Sequence, residues 1–294
     1  MEDKFLNTAK KVSYISIAVN LGLTLYKFVS GVLGNSQALI SDAVHSASDV
    51  FSSIIVLIGI RFAAKEADEY HPYGYERFES VAAILLSFLL TATAVGIGYS
   101  AGMSIINEEY EAAELPNFVA LVAAIVSIAV KEGMYWYTRY NAKKINSTAL
   151  MADAWHHRSD SLSSVGALIG IGFSMFGFHI MDPIASLVIF VLIMKAAIEI
   201  FVDAINKMTD ASVDKKVLKK YKAFVKKNPD IKSISQIRTR KFGPRVFVDL
   251  EIALDKSLCL YEAEGIAKTV HDSMEKRFPE IKHIMVHVSA EKDN

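Results

Sequence analysis

Apolar residues in this chain fall in long runs rather than in strict alternation. Six runs, at about 12–33, 37–60, 80–105, 117–138, 148–177 and 182–206, each approach the roughly 20 residues that span a bilayer's hydrocarbon. The second and fifth are interrupted by ionisable residues. From about 211 charged residues become frequent and the long runs stop. Residues 213–228 (VDKKVLKKYKAFVKKN) have the spacing of a basic amphipathic helix. SISQIRTRKF and RVFVDLEIAL alternate as strands do and meet at the turn Gly243-Pro244. Residues 261–277 suit a helix, and HIMVHVSA a third strand. The pattern predicts a membrane all-α bundle of six transmembrane helices over 1–210. A C-terminal α+β domain follows over 211–294, in the order αββαβ. Closely spaced small residues in ATAVGIGYSAG, near 91–102, predict a helix-packing face.

Composition sharpens this. The 294 residues are 52% hydrophobic with zero net charge, where an ordinary soluble domain is about 45–50% apolar. No general attraction to nucleic acid is implied. The single Cys259 excludes an intrachain disulfide framework and a thiolate cage. The polar start MEDKFLNTAKK leads into an apolar stretch too long for the core of a cleavable signal peptide. Lys4, Lys10 and Lys11 precede the first run; Arg61, Lys65 and Arg77 follow the second; Arg139, Lys143 and Lys144 follow the fourth. The loops after runs one, three and five hold no Lys or Arg, and that at 107–116 is acidic. The positive-inside rule then sets both termini in the cytoplasm.

Candidate chemistry lies in the interrupted runs. SDAVHSASDV (41–50) and ADAWHHRSDS (152–161) share D-A-x-H-x-x-S-D. His45 with Asp49, and His156 with Asp160, therefore stand at i,i+4 on a helix face. Ionisable groups at a spanning helix's centre cost about 2.5–3.5 kcal/mol each on insertion scales, so their presence there points to function. Counting from opposite membrane faces, both imidazoles lie about 12–14 Å deep in a core about 30 Å thick. Two imidazoles and two carboxylates at one level form the donor set of a tetrahedral divalent site. Asp42 and Asp153, one turn before each histidine, are read as groups that orient imidazole or as acidic steps on the path. His157 is expected to face away from His156, and Arg158 to meet a carboxylate or reach for the interface. Ser159 and Ser161 make no hydrolase triad, because no G-x-S-x-G elbow is present. Metal needs neutral imidazole, so binding at such a site ejects protons and allows metal–proton antiport.

Weaker candidates lie elsewhere. Asp68 and His71 form a possible second metal site in the loop at 66–80, against the alternative of an ordinary acidic turn. Arg77 and Asp210 are a candidate charge pair at the membrane–cytosol junction. Asp249, Glu251, His283 and His287 lie on the C-terminal strands, where outward-facing members could gather metal between two chains; the alternative for each is a solvated strand residue.

The chain resembles the cation diffusion facilitator family of metal transporters. The resemblance rests on ALISDAVHSASDV, HPYGYERFE, ADAWHHRSDSLSS and RTRKFGP. It implies a homodimer of six-span protomers in the lipid bilayer, each with a ferredoxin-like cytoplasmic domain. It also implies that His45, Asp49, His156 and Asp160 form the transport site, and that metal on the cytoplasmic domain tightens the dimer. Two departures stand out. Tyr75 occupies a position that is often His in the family's second loop site. Glu251 and Glu264 stand where relatives often have His, with His287 kept. The expected activity is proton-coupled export of a divalent transition metal, Zn2+ ahead of Fe2+, Mn2+, Co2+ and Cd2+, from the cytoplasm, with H+ as counter-ion. The expected location is the cytoplasmic membrane of a prokaryote. No ligand candidate is Cys or Met, which argues against Cu(I). The competing readings are a membrane-embedded metalloenzyme and a membrane-anchored metal sensor.

Overall fold

The computed structural model describes residues 2–33, 37–107, 118–174 and 180–290. Some helical side chains, those of Asp42 and His45 among them, lie outside the described set, as does most of the acidic loop at 107–116. The chain divides into two compact units, Glu2–Ala204 and Ile205–Asn294, each considered by itself.

The N-terminal unit is built from α1 (Glu2–Leu33), α2 (Gln37–Ala63), α3 (Arg77–Ile106), α4 (Phe118–Ile145), α5 (Thr148–Ser174) and the start of α6 (Met181–Met208). Two of these helices begin or end well beyond the apolar runs. α1 starts at Glu2, and α4 continues to Ile145. Neither extension contains a Gly or Pro to stop the helix.

The helices carry their polarity inside out. α1 buries Ser13, Ser16, Asn20 and Lys27 while exposing Leu21, Leu25 and Phe28. A soluble bundle would do the reverse, because water penalises exposed apolar area. Here the apolar faces suit lipid, and polar side chains turn inward, as ionisable groups in spanning helices do. α1 over Phe5–Ser30 and α3 over Arg77–Ile106 are long and apolar enough to cross a membrane.

Between the helices, Val56, Ile60, Leu86, Leu90, Leu150, Ile193 and Ile200 form a packed core with many alanines. Gly59 lets α2 close on α3, since a Cβ there would overlap the Ala82 methyl. In the small-residue run of α3, Gly98 faces the Phe190 ring of α6, and Ala94 and Ala101 are buried.

The start of α5 is pinned locally. Asn146 adopts the left-handed conformation (φ 54°) that ends α4, which Asn tolerates better than most residues. Ser147 Oγ then accepts from Leu150 N–H at 3.1 Å, and the Glu79 carboxylate of α3 accepts from Ala149 N–H at 3.3 Å. Both satisfy donors that a helix start leaves open, and the carboxylate also suits the positive end of the helix dipole. The second motif thus enters at a height that α3 helps to set.

The C-terminal unit contains α7 (Lys215–Val225), β1 (Ser233–Phe242), β2 (Arg245–Leu254), α8 (Leu260–Arg277) and β3 (Ile281–Ala290). β1 and β2 form an antiparallel hairpin, and Gly243 supplies the positive φ its turn requires. β3 pairs parallel to β2, so the sheet order is β1-β2-β3 and α8 is the connection between them. Val248, Leu250, Ile252 and Ile284 of the sheet pack with Tyr221 and Met274 of the helices.

Candidate metal site

α2, α4 and α5 meet at a buried polar cluster. One donor atom each from Asp49, His156 and Asp160 falls within 4.8 Å of the others. His156 Nε2 stands 3.4 Å from Asp49 Oδ1. Among the described residues neither ring nitrogen of His156 completes a hydrogen bond, although the residue is only 5% exposed. A buried imidazole normally satisfies both nitrogens, so this one has hydrogen-bonding or ligating capacity in hand. His45 lies one turn before Asp49 on α2, and its side chain is outside the described set.

The neighbouring acid has a different partner from the one expected. Asp153 is fully buried, accepts from Ser53 Oγ at 3.3 Å, and stands 3.5 Å from His157 Nε2. It therefore pairs with His157, at i,i+4, although His156 at i,i+3 was equally within reach along the helix. Asp42 lies outside the described side chains. Arg158 lies over the Tyr135 ring at 4.3 Å and stands 3.8 Å from Glu132.

The cluster also contains a residue that the spacing argument passed over. Lys131 of α4 donates to Asp49 Oδ2 at 2.6 Å and to Asp160 Oδ2 at 3.0 Å. Its side chain is 3% exposed. The signal was an ionisable pair, Lys131-Glu132, inside the fourth apolar run. Lys27 in the first run is similar: it is buried and donates to Ser46 Oγ at 2.8 Å.

The loop candidates have another use. Asp68 Oδ2 accepts from Lys65 Nζ at 2.8 Å and Tyr75 OH at 2.7 Å, while Oδ1 accepts from the backbone N–H groups of Tyr70 and His71. His71 lies against the Tyr75 ring, with centroids 4.1 Å apart. At the expected second site Asp68 thus organises the turn, with both oxygens accepting hydrogen bonds, and His71 Nδ1 stands 3.8 Å from Oδ1. The bond from Lys65, then that from Tyr75, holds the Asp68 carboxyl well below its ordinary range.

The C-terminal strand candidates share one face of the sheet, with Asp249, His283 and His287 exposed. Glu251 pairs in register with His287, and Asp249 with Met285. Glu264 lies exposed on α8. His283 also joins two α8 residues that the sequence had not singled out together. Glu275 Oε1 is 3.3 Å from His271 Nε2 and 3.4 Å from His283 Nδ1. The helix brings His271 and Glu275 together by their i,i+4 spacing, and β3 begins beside its last turn. Arg77 and Asp210 belong to different units, so their pairing is not described.

A buried cluster of imidazole, carboxylate and ammonium groups among helices with apolar exteriors is the pattern of a membrane protein with a polar path through it. Comparison with known families makes this specific. Residues 13–209 match the cation efflux transmembrane domain, and residues 213–291 match the cytoplasmic domain of cation efflux proteins. The chain belongs to the cation efflux, or cation diffusion facilitator, family. It is 34% identical to the magnetosome protein MamB of Magnetospira sp. over 95% of this chain and 94% of that one. It is 30% identical to the manganese efflux system protein MneP of Bacillus subtilis over 96% of each chain. Against metal tolerance protein C1 of Arabidopsis thaliana it is 31% identical over 95% of its own length, but spans only 62% of that relative. This is a metal-cation efflux transporter of the membrane and not an enzyme, which removes the metalloenzyme reading.

Proposed function

We propose that the chain exports a divalent transition metal from the cytoplasm in exchange for protons, through a site made by His45, Asp49, His156 and Asp160. The carrying observation is the buried convergence of Asp49, His156 and Asp160, with imidazole nitrogens that complete no hydrogen bond among the described residues. Carboxylate and imidazole donors suit zinc, iron, manganese, cobalt and cadmium, with zinc first for a two-nitrogen, two-oxygen tetrahedron. A relative that bears the name manganese efflux system keeps manganese beside it.

The six long helices would each span the bilayer, with both termini in the cytoplasm of a prokaryotic cell. The C-terminal unit would take the ferredoxin-like role and pair two protomers into a homodimer. Binding at neutral pH displaces protons from imidazole, so opening the site alternately to either side couples metal to protons in opposite directions.

The test is flux in proteoliposomes containing a metal-sensitive dye, with zinc, iron and manganese compared side by side. Metal entry by the wild-type chain that disappears in Asp49→Ala is the expected result. Equal entry with and without Asp49 ends the site assignment. Flux indifferent to an imposed pH gradient ends the proton coupling.

A further inference from the structure

We propose that Lys131 is a tethered counter-ion of the transport site: its ammonium holds the carboxylates when no metal is bound, and an incoming dication must displace it. This rests on the reading of Asp49 and Asp160 as metal ligands. The ammonium lies between those two carboxylates, at 2.6 and 3.0 Å, on a side chain sealed from solvent. Metal and ammonium compete for these two carboxylates. Both are cations competing for the same few lone pairs, and like charges a few ångströms apart repel strongly in a medium less polar than water.

The structure also provides somewhere for the ammonium to go. A cavity of about 360 Å3 adjoins the cluster, lined in part by Ser46, Asp49, Ser127, Lys131, Ser159 and Asp160. The hydroxyls of Ser127 and Ser159 are buried there without a hydrogen-bond partner. Ser127 is one turn before Lys131 on α4, within reach of a rotated lysine side chain. A released ammonium would satisfy both.

Charge counting shows what the exchange achieves. Two carboxylates and one ammonium leave the cluster at −1; replacing the ammonium with a dication brings it to zero. A monovalent cation in the same place leaves −1 and gains nothing. The lysine thus penalises sodium and potassium more than it penalises a transition metal. It also spares the emptied site from carrying two bare carboxylates while the helices return for the next ion.

The experiment uses the full-length chain in detergent, titrated with Zn2+ in wild type, Lys131→Met, Lys131→Gln and Asp49→Ala. Removing the competitor should tighten zinc binding about tenfold in both Lys131 variants, as expected if the free site is only about 10% available in the wild type. Sodium chloride should weaken zinc binding to the variants more than N-methylglucamine chloride of equal ionic strength, and should not do so in the wild type. In proteoliposomes the variants should keep zinc–zinc exchange but lose net efflux. Zinc affinity unchanged or weakened in the variants, or equal responses to the two salts, overturns the proposal. Should both variants fail to fold, reductive methylation of the wild type read by mass spectrometry decides. Zinc should free the Lys131 amine from the two carboxylates and so raise its labelling through the adjoining cavity, and unchanged labelling overturns the proposal. Asp49→Ala separates the two claims: if it binds zinc as the wild type does, the site reading has failed, whatever Lys131 does.

Discussion

Asp49 is reached by a lysine on one side and faced by an imidazole on the other, while Asp153, four residues before His157, belongs to another pair. Neighbouring carboxylates on the same two helices thus differ in role through their partners alone. Asp153→Asn should cost about 1–3 kcal/mol of stability, the range for leaving buried polar groups unsatisfied. It should weaken zinc binding by about tenfold or less, at the low end for groups that only orient a ligand. Thermal unfolding and zinc titration of the same sample check both, and a total loss of binding would make Asp153 a ligand. The loop offers the complementary case. Because Asp68 is already engaged, Asp68→Ala should leave the number of metals bound per chain unchanged by equilibrium dialysis. The depressed Asp68 carboxyl helps hold the loop only while it is ionised. That help is fully present above about pH 4, near the ordinary aspartate value, and fades as the pH falls further. Hydrogen exchange of the 65–76 backbone should rise only in that acid range. Asp68 and His71 were legible in the sequence as a pair, but not as a pair whose oxygens Lys65 and Tyr75 would occupy.

Elements fit together where side chains leave room. Gly59→Ala would drive a methyl into Ala82 where α2 meets α3, at about the 1–3 kcal/mol typical of overpacking. The thermal midpoint should fall accordingly, and the double variant Gly59→Ala, Ala82→Gly should recover most of it. A drop without recovery would place the cost elsewhere. In the C-terminal unit, Tyr221 is fully buried and donates from its hydroxyl to Glu280 Oε1 at 3.0 Å. Burial first, and the Glu280 carboxylate second, raise its ionisation above the ordinary tyrosine value. The neutral hydroxyl therefore stabilises the unit fully below about pH 10, and that stability is lost as the pH climbs past it. Tyr221→Phe should cost about 1 kcal/mol at neutral pH and flatten the alkaline limb of the unfolding curve. Strands and helices of this unit were readable because alternation and turn residues agreed. The meeting of His271, Glu275 and His283 was not, since it depends on where β3 begins against α8.

For the whole molecule, export against protons predicts a definite response to gradients. Proteoliposomes loaded with zinc and held at constant membrane potential should release it faster as the receiving side is made more acidic, and the metal ratio reached at equilibrium should shift by about tenfold per pH unit if one proton per metal is driving. Collapsing the gradient with an ionophore should remove the acceleration, and a flat response would mean uniport. The inside-out polarity of α1 belongs to the same scale: Ser13, Ser16 and Asn20 turn inward because lipid, not water, is the outer solvent for that face.

The order of elements, the membrane-suited apolar runs and the repeated His–Asp spacing were determined by the sequence alone, because they depend on periods of 2 and 3.6 residues and on runs about 20 residues long. Which side chains meet was decided by packing. Lys131, 82 residues along the chain from Asp49, joins it only because α4 lies along α5 and α5 touches α2. Asp153 meets His157 and Ser53, while His156 is turned to Asp49 across the helix interface. Spacing along one helix is written in the chain, whereas proximity between helices depends on how the alanines, Gly59 and Glu79 let them close.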